Sequence, residues 1–217
     1  MNRELRVTDD LVADAVRIFL ELAPRTIALS GGSTPKPVYE ELSHTPFPWH
    51  EVEAFFGDER CVPADHPDSN FRMANEALLS KVDARVHSMV GCDVGAYIRE
   101  LHDVFGEGMP AFDLLFMGIG DDGHTASLFP GRPELDVTDE LVVYVPRPGM
   151  PPEHPRMTLT FPVLDAAGVA LFLVEGEKKR EPLRKLVAGD ESIPAARVHS
   201  ERVIVLADRQ AADGLSS

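Results

Sequence analysis

The stretch "FDLLFMGIGDDGHTASLFPG", residues 112–131, runs from an apolar segment into three closely spaced glycines (118, 120 and 123), two adjacent aspartates and one histidine, and ends on a fourth glycine. An apolar run of this length bounded by turn residues predicts a buried strand, and the glycines predict a tight connection at its carboxyl end. Gly118, Gly120 and Gly123 match the spacing of a dinucleotide-binding turn. Three features oppose that reading. Asp121 and Asp122 would set like charge against a pyrophosphate, Pro130 stops any long helix, and "LVVYV" ends in Pro146 and Arg147 where an acidic residue is needed. A zinc site built on His124 is also disfavoured, since no histidine follows at helical spacing and His66 and His154 sit on distant loops. What remains is Asp122-Gly123-His124 at the end of a central strand, where open α/β sheets place their ligands. An imidazole titrates near neutral pH and can take a proton from water, and a neighbouring carboxylate can orient it.

Outward from this stretch, short apolar runs recur at 26–30, 52–57, 141–145, 169–174 and 202–207. Helical patterns fall between them at "PKPVYEEL", "NFRMANEALLSKV", "VGAYIRELHDVF", "TFPVLDAAG" and "KKREPLRKLVAG", and an N-terminal helix capped by Thr8 or Asp9 runs to about Leu22. Alternating strands and helices predict one domain over residues 1–217, with a mainly parallel, doubly wound α/β sheet covered on both faces. "PRPGMPPEHP" (146–155) reads as an exposed, mobile connection stiffened by proline.

With 21 basic and 36 acidic residues the formal charge is −15, which excludes nucleic acid and anionic membranes as bulk partners. An anion site would have to be locally basic. The amino-terminal segment is neither a signal peptide nor a membrane span. Cys61 and Cys92 form no disulfide framework and lack metal-ligand spacing, so a reducing cytoplasm is the expected location.

Three further segments carry charge or turns suited to an anion. In "GGSTPKP", Gly31 and Gly32 allow close backbone approach while Ser33 and Thr34 offer hydroxyls at a helix start; a phosphate cradle and a plain helix cap are both open. "GDERCVPADHPDSNFRMA" supplies Arg60 and Arg72, which either grip an anion or pair with neighbouring carboxylates. Lys178 and Lys179 open a helix, where a cation is unfavourable unless it serves an anion; plain solvation is the alternative.

Together "LSGGSTPKPVY", "GDERCVPADHPDSNFRMA", "FDLLFMGIGDDGHTASLFPG", "RMTLTFPVLDAA" and "EGEKKR" resemble the 6-phosphogluconolactonase family, in order and from about Leu29 to Arg180. The resemblance implies a three-layer αβα sandwich with a modified Rossmann-like sheet, no metal and no cofactor. The activity it implies is hydrolysis of 6-phospho-D-glucono-1,5-lactone to 6-phosphogluconate in the pentose phosphate pathway. Asp122 and His124 are then the implied catalytic pair, with Asp121 left open as the alternative support for the histidine. Sugar or phosphate contacts are implied for Gly31, Gly32, Ser33, Thr34, Asp58, Arg60, Asn70, Arg72, Arg156 and Lys179, the last chosen over Lys178. Glucosamine-6-phosphate deaminases, the sister branch, typically show "DEY" and "GHIAFNEP" where this chain has "DER" and "GHTASLFPG". A non-catalytic sugar-phosphate sensor would need a DNA-binding segment, and none is visible. A monomer, or a weak homodimer, with a small sugar phosphate as its partner is the expectation.

Overall fold

Val169–Val174 is apolar throughout and buries all six residues, which requires a strand covered on both faces. In the computed structural model, which describes residues 3–215, that run is one of seven strands in a parallel sheet. Its members are β1 (Arg3–Thr8), β2 (Thr26–Leu29), β3 (Glu53–Phe56), β5 (Arg85–Val86), β6 (Leu114–Met117), β9 (Val169–Val174) and β10 (Arg202–Asp208). They lie in the order β1-β10-β9-β6-β2-β3-β5. The remaining strands, β4 (Asp58–Arg60), β7 (Val142–Val145) and β8 (Arg156–Leu159), form a small antiparallel sheet ordered β4-β8-β7. Flanking the main sheet are α1 (Leu11–Leu22), α2 (Pro35–Leu42), α3 (Asn70–Ala77), α4 (Val94–Phe105), α5 (Phe161–Asp165) and α6 (Arg180–Ala188). The architecture is a three-layer αβα sandwich, as the strand–helix alternation predicts.

Local chemistry sets the element ends. α1 starts at Asp10, whose carboxyl accepts the Ala13 N–H; Thr8 instead ends β1 and its hydroxyl donates to Asp14. α3 and α4 are capped in the same way by Ser69 and Asp93. Pro35 occupies the first turn of α2, where no N–H is needed. Between the sheet and the helices, Phe19, Tyr39, Phe55, Phe112, Phe116 and Phe172 are almost wholly buried, and each such side chain contributes about 1.5–3 kcal/mol by leaving water.

Several elements differ from expectation. "LVVYV" belongs to the antiparallel sheet, and β1, β4 and β5 are strands that the apolar pattern does not announce. β1 is polar because it lies at the sheet edge, and its exposed Val7 faces solvent. Cys61 and Cys92 are joined in a disulfide, contrary to the expectation of unpaired thiols; the fold brings their Cα atoms to 5.5 Å. No described helix is long and apolar enough to cross a membrane.

Strand order places the site. From β2 the sheet grows one way through β3 to β5, and from β6 the other way through β9 and β10 to β1. The carboxyl ends of β2 and β6 therefore diverge, leaving a crevice at the point where the winding reverses.

Candidate active site

β2 delivers Ser30, Gly31 and Gly32 to this crevice, and β6 delivers residues 118–124. β3 leads through Gly57 into Asp58 and Arg60, and β9 leads into the turn that carries Lys179. These segments enclose a cavity of about 300 Å³ lined by the Ser30–Gly32 turn, Asp58, Arg60, Asn70, Gly118–Asp121, His124, Ala126, Met150, Arg156 and Lys179. A larger open groove of about 830 Å³ runs along α1, but it gathers no comparable set of cationic and basic groups.

At one end stands His124. Its Nδ1 lies 2.5 Å from Asp122 Oδ1, and its backbone N–H donates to the same oxygen at 3.1 Å. Partial burial opposes ionisation of Asp122, yet the hydrogen bonds from His124 outweigh it and hold the carboxyl below the usual carboxylate range. An ionised carboxylate only accepts, so Nδ1 carries a proton, and in the neutral imidazole the lone pair is then on Nε2. Gly120 makes this closure possible, since a Cβ there would sit 2.0 Å from His124 Nδ1 and 2.7 Å from Asp122 Oδ1. Asp122 holds the histidine, while Asp121 pairs with Lys179.

At the other end the antiparallel ladder sets Arg60 directly across from Arg156. Like charges facing each other across strands are unfavourable unless an anion joins them. Arg156 is only 3% exposed, and burial is the main influence lowering its guanidinium pKa; Asp58 opposes this and Arg60 reinforces it. Among the described residues, the buried Nε of each arginine and the buried Ser30 hydroxyl have no hydrogen-bond partner. Phe129 links the two ends: its ring centroid is 4.6 Å from that of His124 and 5.3 Å from the Arg156 guanidinium carbon.

The walls are held by Asp58 and Glu59. Ser127 Oγ donates to the Asp58 carboxyl at 2.6 Å, and Asn70 Nδ2 donates to the Asp58 carbonyl at 2.9 Å. Gly31 fits beneath that amide only because it lacks a side chain, as a Cβ would lie 1.8 Å from Asn70 Oδ1. Glu59, fully buried, accepts the N–H groups of Arg60, Asn70 and Phe71 and the Ser69 hydroxyl. Burial pushes its carboxyl up, and those backbone N–H groups offset part of the effect.

Of the residues singled out by sequence, Gly31, Gly32, Asp58, Arg60, Asn70, Arg156, Lys179 and His124 meet around the cavity, with Asp122 directly behind the histidine. Three do not. The Arg72 side chain points along α3 to Glu76, 2.8 Å away, because positions four apart on a helix share a face. Ser33 and Thr34 lie past the turn and outside the lining, and Thr34 makes no side-chain cap bond either. Ser30, Ser127, Phe129, Glu59 and Met150 escaped the sequence reading. Ser30 was within reach of it, as the last residue of the 26–30 run before a glycine pair.

The family described as glucosamine-6-phosphate isomerases/6-phosphogluconolactonase matches residues 4–206. The chain belongs to this family. A Synechocystis 6-phosphogluconolactonase is 40% identical over 99% of this chain and 96% of its own length, and a Thermotoga maritima 6-phosphogluconolactonase is 36% identical over 82% and 81%. Among solved structures, the Trypanosoma brucei 6-phosphogluconolactonase superposes with a TM-score of 0.88 at 28% identity, covering 99% of each chain. A monomeric glucosamine-6-phosphate deaminase superposes with a TM-score of 0.78 at 25% identity, covering 98% of this chain and 99% of its own.

Proposed function

We propose that the chain hydrolyses 6-phospho-D-glucono-1,5-lactone to 6-phospho-D-gluconate, the lactone-opening step of the oxidative pentose phosphate pathway. One observation carries the reading: an oriented imidazole and three cationic side chains line the same cavity at the sheet's switch point. The names of the relatives agree with it.

In this mechanism the 6-phosphate sits among Arg60, Arg156 and Lys179, displacing Asp121 from the lysine. Arginine meets a phosphate with two parallel N–H donors, so a facing pair can hold a dianion from both sides. The glycine turn and Asn70 border the sugar ring. His124 Nε2 removes a proton from water as the water oxygen bonds to C1, and Asp122 stabilises the charge that the imidazole gains. Collapse of the tetrahedral intermediate breaks the bond from C1 to the ring oxygen, which takes the proton back from His124. Arg72 drops out of the phosphate site, and Arg156 takes its place.

Acid release from freshly made 6-phosphogluconolactone, run beside ammonia release from glucosamine 6-phosphate, tests the reading. Acid release well above the spontaneous rate, without ammonia, is the expected result. Ammonia release alone would transfer the chain to the deaminase branch.

A further inference from the structure

Two imidazoles and a carboxylate converging from separate connections can chelate a metal ion. His66 and Asp68 lie on the connection from β4 to α3, and His154 lies on the connection from β7 to β8. These loops are distant in sequence, which made a joint role look remote, yet the fold brings their ligand atoms within 4.8 Å of one another. His154 Nε2 is 3.0 Å from Asp68 Oδ2, and His66 Nδ1 is 3.9 Å from the same oxygen. The two rings meet edge to face with centroids 5.2 Å apart. The Asp68 N–H donates to His66 Nδ1 at 3.1 Å, so this nitrogen is unprotonated, and an ion bound there takes the place of that hydrogen bond. All three residues are partly exposed, within reach of an ion from solvent, and none lines the substrate cavity.

We propose that His66, Asp68 and His154 form a binding site for zinc or a similar transition-metal ion, which staples the β7–β8 connection to the β4–α3 connection. The donor set decides the class of ion. Magnesium and calcium favour all-oxygen shells, whereas two imidazoles and one carboxylate suit zinc, cobalt or nickel. Zinc–nitrogen bonds of about 2.0–2.1 Å put tetrahedral ligand atoms about 3.3 Å apart. His154 and Asp68 are already near that separation, His66 lies about half an ångström beyond it from Asp68, and all three ligand atoms fall within 4.8 Å of one another. Water completes the shell.

The staple bears on the neighbouring site through backbone carbonyls. Arg60 Nη1 donates to the Asp68 carbonyl at 2.8 Å, and Arg156 Nη2 donates to the Pro152 carbonyl at 3.1 Å. Met150, on the same connection as His154, lines the cavity. An ion bridging these connections therefore fixes the supports of both facing arginines. The inference does not rest on the lactone reading, because metal binding is measured without substrate.

Tag-free protein stripped with EDTA and titrated with Zn²⁺ by calorimetry provides the test, with Co²⁺ as a visible spectroscopic probe. One equivalent of Zn²⁺ is expected to bind and raise Tm, while Mg²⁺ at the same concentration has no effect. His154→Ala and His66→Ala are each expected to weaken Zn²⁺ binding at least about tenfold and abolish the Tm rise. His44→Ala, which removes an exposed histidine elsewhere, should retain both. Tm in EDTA, recorded for every variant, separates a folding defect from a lost ligand. Equal Zn²⁺ affinity in the wild type and both ligand variants overturns the proposal, as does the absence of any Tm rise in the wild type at millimolar Zn²⁺.

Discussion

At the His124 end of the cavity the protein answers its own polar groups, whereas at the Arg60–Arg156 end it gathers positive charge and leaves part of it unanswered. His124 is locked to Asp122 through both its ring and its backbone, over a glycine that leaves no room for a side chain. Arg60 and Arg156 face each other with buried, unpartnered Nε atoms; among the described residues, Lys179 is the one of the three cations with a carboxylate, Asp121, at salt-bridge distance. The first end is arranged before any ligand arrives; under the proposed function the second is relieved when the 6-phosphate binds. Under the proposed function, changes at the first end should act on kcat and changes at the second on KM.

The largest expected effect lies at the first end. His124→Ala should lower kcat by about 10²- to 10⁴-fold with KM little changed, since general-base catalysis accounts for that range. Gly120→Ala should move kcat the same way by displacing the imidazole, and steady-state kinetics on both variants reads the outcome. Full turnover in His124→Ala would break the division between the two ends.

Next come the cations. Arg156→Ala and Lys179→Ala should each raise KM by about 10- to 100-fold, the loss of a charge-assisted hydrogen bond worth about 1.5–3 kcal/mol. Arg72→Ala sacrifices only an exposed pair with Glu76 and should change KM by less than about fivefold. A large KM effect there would return Arg72 to the phosphate site. Asp121→Asn frees Lys179 from a competitor at an exposed position, so KM should fall by about two- to fivefold.

The smallest effect is on stability. Because its folded-state pKa is depressed, Asp122 adds stability above the ordinary carboxylate value of about 4, and that contribution is lost as pH falls through the folded-state value. The Tm gap between wild type and Asp122→Asn should therefore be present from pH 5 to 7 and shrink under stronger acid. Asp122 is 38% exposed, so solvent screening keeps the gap modest. A gap that widens in acid would contradict the assigned ionisation.

The central strands were legible because burial on both faces forces continuous apolar runs, as in β6 and β9. β4 was not legible, because "DER" is a strand made of charge, held by pairing with β8 rather than by apolar pattern. That pairing makes Arg156 face Arg60, a relation no local window contains. Arg72 shows the reverse case: the resemblance pointed to it as a phosphate contact, while helix geometry turns its side chain toward Glu76. His66 and His154 were judged apart because 88 residues separate them in sequence, and the small sheet closes that distance.

The ladder between β4 and β8 also dictates where this chain tolerates insertions and deletions. A change of length in the turn from 146 to 155 keeps the ladder register, and so the facing of the two arginines, but moves the Pro152 carbonyl that accepts from Arg156. Within 58–60 or 156–159, a shift of one residue would send one arginine to the opposite side of its strand and leave its counterpart alone.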